Sequence, residues 1–297
     1  MDAVTTLKGK IGRDRILIFL HISKAAGSTL HNILEKQYED TGHFFTAGGP
    51  ENKDRERILQ LSSKEKERLG VVRGHVNYGV HELLTKPSVY ITMLRDPIDR
   101  IISLYYYLKR DQNHYLHRRC ISENWTLEDY ILKTTENDNG QTRALAGALD
   151  VYSFYNGERP FIPFGECTDE LREKAIKNLR QFLVVGLAER FDETLILLKR
   201  MLGWEFPPLF VKQNITHNRP QKDDIPETTI RLIEKYNTLD IELYRFVTEL
   251  FTKQTQQQDI SFKVEVTYFK MLNKSYQDHQ TLIQKHQSLL QEHQRIQ

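Results

Sequence analysis

Residues 16–31, ILIFLHISKAAGSTLH, constrain the fold of this chain more than any other stretch. Five branched or aromatic residues without polar alternation read as a short strand buried on both faces. A lysine, a cluster of very small residues and a helical pattern from about Ser28 follow at once. A buried strand ending at His21 and feeding such a turn sets a helix N-terminus at the carboxyl end of the strand. Unpaired backbone N–H groups there form a cradle for an anion. Ala25, Ala26 and Gly27 let the backbone approach a phosphate closely, Ser28 and Thr29 offer hydroxyl donors, and Lys24 adds a point charge. A lone lysine before a helix is usually an ordinary loop residue; the whole constellation points to phosphate binding.

The order of residues separates this loop from a Walker A motif. GxxxxGK[ST] puts its lysine after the second glycine, where the next hydroxyl can hold magnesium. Here Lys24 precedes Gly27. A metal-dependent NTPase is therefore disfavoured, and no metal site is expected.

Further apolar runs at 89–94 (VYITML) and 182–185 (FLVV) read as buried strands. Helical patterns lie between and after them, at 97–109 with Pro97 near N1, at 169–181 after a Thr168 cap, and at 191–202. Strands separated by helices require crossovers. The expected fold class is therefore α/β: a P-loop-like, three-layer arrangement with a mainly parallel central sheet flanked by helices. Ligands then collect at the carboxyl ends of the strands. Residues 51–69 read as a solvated helical excursion without chemistry, 204–226 as a long loop, and 227–236 and 239–253 as helices.

The organisation read from these patterns is an extension over 1–14, one main domain over 15–255 and a C-terminal extension over 256–297. In that extension His279, His286 and His293 recur every seven residues beside Leu282, Leu289 and Ile296. Such a stripe suits an amphipathic helix lying on its own domain or fraying in solvent, and equally a contact through which the chain forms a homo-oligomer.

Among 297 residues, 42 Lys and Arg nearly match 40 Asp and Glu, so no general nucleic-acid binding is expected and any anion site must be local. Cys120 and Cys167 lack disulfide or zinc spacing and read as two reduced thiols. No apolar run has signal-peptide or membrane-span length, and the expectation is a cytoplasmic chain with no membrane span.

HISKAAGSTLH resembles the 5′-phosphosulfate loop of sulfotransferases that use 3′-phosphoadenosine 5′-phosphosulfate (PAPS). ITMLRDPIDRIISLYYYLKR resembles their 3′-phosphate motif, with Arg100 and Ser103 followed by tyrosines. The second stretch is similar to the carbohydrate branch that includes heparan sulfate 2-O-sulfotransferase. With VVRGHVNYGVHE and LRQFLVVGLAERFDETLILLKRML, the likeness covers roughly residues 14–253.

The resemblance implies PAPS as donor, without a metal. It gives Lys24, Ala25, Ala26, Gly27, Ser28 and Thr29 the phosphosulfate end, and Arg95 and Ser103 the 3′-phosphate. Thr216, Asn218 and Arg219, in NITHNRP, fall where the family has a basic loop over the nucleotide. A planar guanidinium at a strand end suits phosphate oxygens, although Arg95 could instead pair with Asp96 or Asp99.

Transfer needs a base for the acceptor hydroxyl and charge stabilisation on the leaving group. A Gly-His-Val segment similar to that around His75 carries the base in the 2-O relatives, with His81 and His21 as rivals here. Those relatives have a second histidine where this chain has Arg73. Lys24 with the loop amides serves the leaving group. The acceptor is expected to be a hydroxyl of a carbohydrate, and the basic stretch 108–120 (LKRDQNHYLHRRC) could grip an anionic glycan or simply be solvated. Two other readings stay open: a small-molecule kinase with a divergent phosphate loop, and a non-catalytic nucleotide-binding scaffold.

Overall fold

The computed structural model describes residue 11 and residues 14–40, 43–48, 54–149, 162–211 and 220–296, with side chains through Gln291. Five strands occur among the described residues: β1 (Ile16–Leu20), β2 (His43–Ala47), β3 (Leu69–Gly74), β4 (Ser88–Leu94) and β5 (Phe182–Leu187). They form one sheet in the order β2-β3-β1-β4-β5, and every pairing is parallel. β1 sits at the centre because all five of its residues are apolar and both of its faces are covered; each is 0% exposed. Burying one such side chain contributes roughly 1.5–3 kcal/mol.

Helices make the crossovers that a parallel sheet demands. They are α1 (Gly27–Tyr38), α2 (Asp54–Gln60), α3 (Ser63–Arg68), α4 (Pro97–Arg110), α5 (His117–Ser122), α6 (Leu127–Lys133), α7 (Gly140–Ala146), α8 (Asp169–Leu179), α9 (Phe191–Leu202), α10 (Glu227–Tyr236), α11 (Thr238–Gln256) and α12 (Ile260–Ile296). The α/β class with a parallel sheet flanked by helices is as expected. α4 starts where the sequence puts it, with Pro97 at its first turn and the Asp96 side chain accepting from the Asp99 N–H at 3.0 Å. Thr168 precedes α8, but its side chain makes no capping hydrogen bond to the backbone.

Two strands and one excursion differ from expectation. β2 (HFFTA) and β3 (LGVVRG) are too short and too close to charge to stand out as strands, yet β3 is buried along its whole length beside β1. Residues 54–68 are helical, but not simply solvated. Asp54 is 1% exposed, accepts from the Gly48 N–H at 2.7 Å and pairs with Arg57.

The sheet order carries the functional consequence. The chain moves outward from β1 to β2, returns through β3, then crosses to β4 on the other side of β1. Such a switch point opens a crevice at the carboxyl ends of the strands involved. Leu20, Gly74 and Thr92 lie level across β3, β1 and β4, so the residues just beyond them emerge side by side.

α12 begins nearer the domain than the heptad stripe. Its first turns are tied to α9 by Lys199 and Arg200, which both bind Glu265 at 2.7 and 2.8 Å, and Phe269 is buried. Farther on, Leu282, Leu289 and Leu290 are exposed, so this half of the helix leaves its own domain.

Candidate active site

The loop after β1 is built from unusual backbone. Lys24 (φ 64°) and Ala26 (φ 61°) both lie in the left-handed region that side chains other than glycine rarely enter. Left-handed residues between right-handed ones are a recurrent backbone of anion-binding loops. Ala25 is buried and its N–H donates to the Ile22 carbonyl at 3.3 Å, which anchors the loop to the core. α1 starts at Gly27, one residue before the expected Ser28. Gly27 serves a second purpose: a Cβ there would lie 2.0 Å from the His21 ring. Ser28 faces solvent and Thr29 is 9% exposed.

Arg95 follows the end of β4. Its Nη1 donates to the Lys24 carbonyl at 3.1 Å, and its Nη2 lies 3.9 Å from Asp99. The guanidinium therefore reaches the small-residue loop, and the Asp99 pairing is loose. Lys24 reaches the other way, its Nζ 4.0 Å from the centre of the Tyr107 ring. Tyr107 shares one face of α4 with Arg100 and Ser103 by the three- and four-residue helical spacing. Ser103 is 5% exposed, one turn from Tyr107. Lys24 thus joins Arg95 to the α4 face that carries Tyr107, one turn from Ser103.

β3 delivers His75 to the same mouth. Gly74 adopts φ 119°, and a Cβ would lie 2.3 Å from the Ala47 carbonyl oxygen, so only glycine lets the chain turn here against β2. The His75 Nδ1–H donates to the His21 carbonyl at 3.2 Å, and the two rings stack at 4.6 Å. His31 packs edge-on to His21 at 4.9 Å. With Nδ1 donating, the lone pair of neutral His75 belongs to Nε2, the atom a general base uses.

Burial pushes the His75 pKa down, against the opposing charges of Glu136 and Asp54 and the hydrogen bond to His21. Burial likewise holds His21 well below its ordinary value and lowers His31 to about 3. The stack is therefore uncharged near neutral pH. His81, one rival base, is occupied elsewhere: its Nδ1 bonds the Tyr90 hydroxyl at 2.9 Å. His21, the other, supplies the carbonyl that holds His75.

Arg73, where a second histidine stands in the 2-O relatives, has a structural task. It is 7% exposed, donates to Thr46 Oγ1 at 3.1 Å and to the His31 carbonyl at 2.9 Å, and pairs with Glu35. Thr216, Asn218 and Arg219 lie outside the described residues. The basic stretch 108–120 divides: Arg119 pairs with Glu123 at 2.8 Å, whereas His114 packs edge-on to Tyr107 at 5.9 Å and so borders the site. Neither cysteine is activated, because burial raises Cys120 and pushes Cys167 up to about 12.

Sequence reasoning missed Tyr107, Glu136 and Asp54. Tyr107 had a usable signal, its four-residue offset from Ser103; the two carboxylates arrive from remote segments and had none.

The match to the family model for galactose-3-O-sulfotransferases spans residues 6–297. The chain belongs to the galactose-3-O-sulfotransferase family. It is also 32% identical to human heparan-sulfate 6-O-sulfotransferase 1 over 56% of this chain and 44% of that protein. Heparan-sulfate 6-O-sulfotransferase 1-A of Danio rerio is 27% identical over 82% of this chain and 67% of the relative. The chain thus spans under half of the human relative's length. The crystal structure of mouse sulfotransferase SULT7A1 complexed with PAP aligns at 13% identity over 86% of this chain and 90% of that one. Its TM-score is 0.33, a likeness too slight to carry weight. Membership supports the carbohydrate sulfotransferase branch as a whole. The matches name galactose-3-O and heparan-sulfate 6-O enzymes, and the expected likeness to the 2-O enzymes in particular is not among what they show.

Proposed function

We propose that this protein is a PAPS-dependent sulfotransferase that moves a sulfuryl group to a carbohydrate hydroxyl, without a metal, using His75 as general base. One observation carries the reading: Arg95 bonds the Lys24 carbonyl while the His75 ring stacks on His21 at the start of the same loop. Family membership supports the sulfuryl chemistry.

PAPS is the donor substrate, and the residues fit its charges. The loop amides and Lys24 face the phosphosulfate end; Arg95 and Ser103 face the 3′-phosphate. His75 Nε2 takes the proton of the acceptor hydroxyl as that oxygen forms its bond to sulfur. The bond from sulfur to the bridging oxygen breaks, its electron pair leaves on the 5′-phosphate, and Lys24 neutralises the charge gained there. The products are a sulfate ester, adenosine 3′,5′-bisphosphate and protonated His75. Tyr107 holds the Lys24 ammonium over its ring until the anion arrives. Lys24 and the loop amides supply the positive charge that the leaving group needs, which is the reason no metal is proposed.

Thermal-shift measurements test the donor. A ligand that binds only the native state raises the melting temperature by mass action. Adenosine 3′,5′-bisphosphate should shift it without magnesium, and ATP with magnesium should shift it less. A larger shift from magnesium-ATP would favour a kinase. Nucleotide binding with no transfer of labelled sulfate to desulfated heparan or to galactosides would leave only the scaffold.

A further inference from the structure

Arg95 has left the β4 ladder, so its own N–H and C=O need other partners. Both are met by one side chain. Gln141 Nε2–H donates to the Arg95 carbonyl at 2.9 Å, and Gln141 Oε1 accepts from the Arg95 N–H at 3.1 Å. A single amide thus continues the strand for one residue. Gln141 is 0% exposed and comes from the first turn of α7, 46 residues along the chain.

α7 is itself fixed from a distance. Asp240, fully buried in the first turn of α11, accepts from the Gln141 N–H at 3.1 Å, the Thr142 N–H at 2.7 Å and the Thr142 hydroxyl at 2.7 Å. Asn139 returns the contact, its Oδ1 accepting from the Leu239 and Asp240 N–H groups at 2.9 and 3.1 Å. Each helix start caps the other. Gln141 and Asp240 are both fully buried and spend their side-chain polar atoms on Arg95 and on α7, so each acts through other residues.

We propose that Gln141 is a positioning residue that aims Arg95 at the 3′-phosphate of the donor, and that Asp240 holds Gln141 in register. The inference rests on the assignment of Arg95 made above. Without the amide, the Arg95 peptide can rotate about a strand end that no longer holds it, and the guanidinium leaves the Lys24 carbonyl. Recognition of the 3′-phosphate then weakens, while the 5′ end, gripped by the β1–α1 loop, is untouched.

The test is a ratio of affinities on one folded preparation. Adenosine 3′,5′-bisphosphate and adenosine 5′-monophosphate differ only by the 3′-phosphate, and their dissociation constants are measured by calorimetry for wild type, Arg95→Ala and Gln141→Met. Gln141→Met should cut the preference for the bisphosphate about tenfold, the scale of one lost buried partnership. The monophosphate constant should stay unchanged, and the donor KM should rise with kcat near wild type. Should Gln141→Met not fold, Gln141→Glu, which keeps the acceptor and loses the donor, is read in the same way. A preference lost in Arg95→Ala but kept in the Gln141 variant overturns the positioning role and leaves the functional reading standing. A preference kept in Arg95→Ala overturns the assignment of Arg95 itself.

Discussion

The two faces of α4 border two very different recesses. One face carries Ser103 and Tyr107 toward the candidate donor mouth, where Lys24 lies over Tyr107, Arg95 bonds the Lys24 carbonyl and His21 stacks with His75 and His31. The other carries Tyr105 and Lys109 into a cleft of about 460 Å³ lined also by Tyr106, Ile121, Trp125 and Thr229. The cleft has the size and the aromatic walls that favour a small ligand. Yet its polar groups are already engaged with each other. Tyr105 donates to the Trp125 carbonyl at 2.9 Å, Lys109 reaches the Tyr105 hydroxyl at 3.4 Å, and Trp125 donates to Glu123 at 2.6 Å. At the candidate donor mouth two left-handed loop residues and the cations of Lys24 and Arg95 stand beside a stack of neutral imidazoles. Volume marks the cleft as a hollow, and chemistry marks the mouth beside the β1–α1 loop as the candidate site.

That contrast can be broken by substitution. His75→Ala should cost the most, roughly 10²- to 10⁴-fold in kcat, with bisphosphate affinity within about twofold of wild type by calorimetry. Near-normal sulfate transfer in that variant would remove His75 as the base. Lys24→Ala should lower kcat by about 10²- to 10³-fold, measured with radiolabelled donor, because the leaving phosphate loses its nearest cation. A loss confined to KM would assign Lys24 to ground-state binding only.

Acid should act on the same side of α4. Burial keeps His21, His31 and His75 neutral in the folded protein, and the unfolded chain takes up protons at all three below its ordinary value of 6.5. The unfolded state then binds more protons, so stability is whole above that value and declines as pH falls. Each site adds a slope approaching about 1.4 kcal/mol per pH unit. Urea titrations between pH 6.5 and 4.5 should show the decline, and His31→Phe should remove one site's share of it. A wild-type stability independent of pH over that range would contradict neutral burial of the stack. The same lowered pKa sets the rate profile: kcat/KM should rise with pH to a half-point below 6.5. At the far cleft the expected effect is smallest. Ile121→Ser, at a side chain 46% exposed, should leave transfer within about twofold; a tenfold fall with unchanged melting temperature would make that cleft part of the acceptor path.

The candidate site was legible in the sequence where its determinants are local. β1, its loop and α4 announce themselves because an apolar run, a small-residue turn and a helical repeat each lie within about a dozen residues. β3 did not, since LGVVRG sits between a charged helix and a glycine that bends the chain, and its burial depends on two neighbouring strands. Arg73 was legible as a departure but not as a structural group, because Glu35 and the His31 carbonyl come from α1, 38 and 42 residues away. The Gln141 clamp is the extreme case, two hydrogen bonds between segments with no shared pattern.

One consequence follows from the hydrogen bond between His75 and the His21 carbonyl. The imidazole and the donor loop share a mount: the peptide that ends β1 steers the ring through its oxygen and leads directly into the turn at Lys24. Under the proposed roles, one peptide sets the position of both the base and the loop that would hold the donor, so a shift of that peptide moves the two together rather than apart.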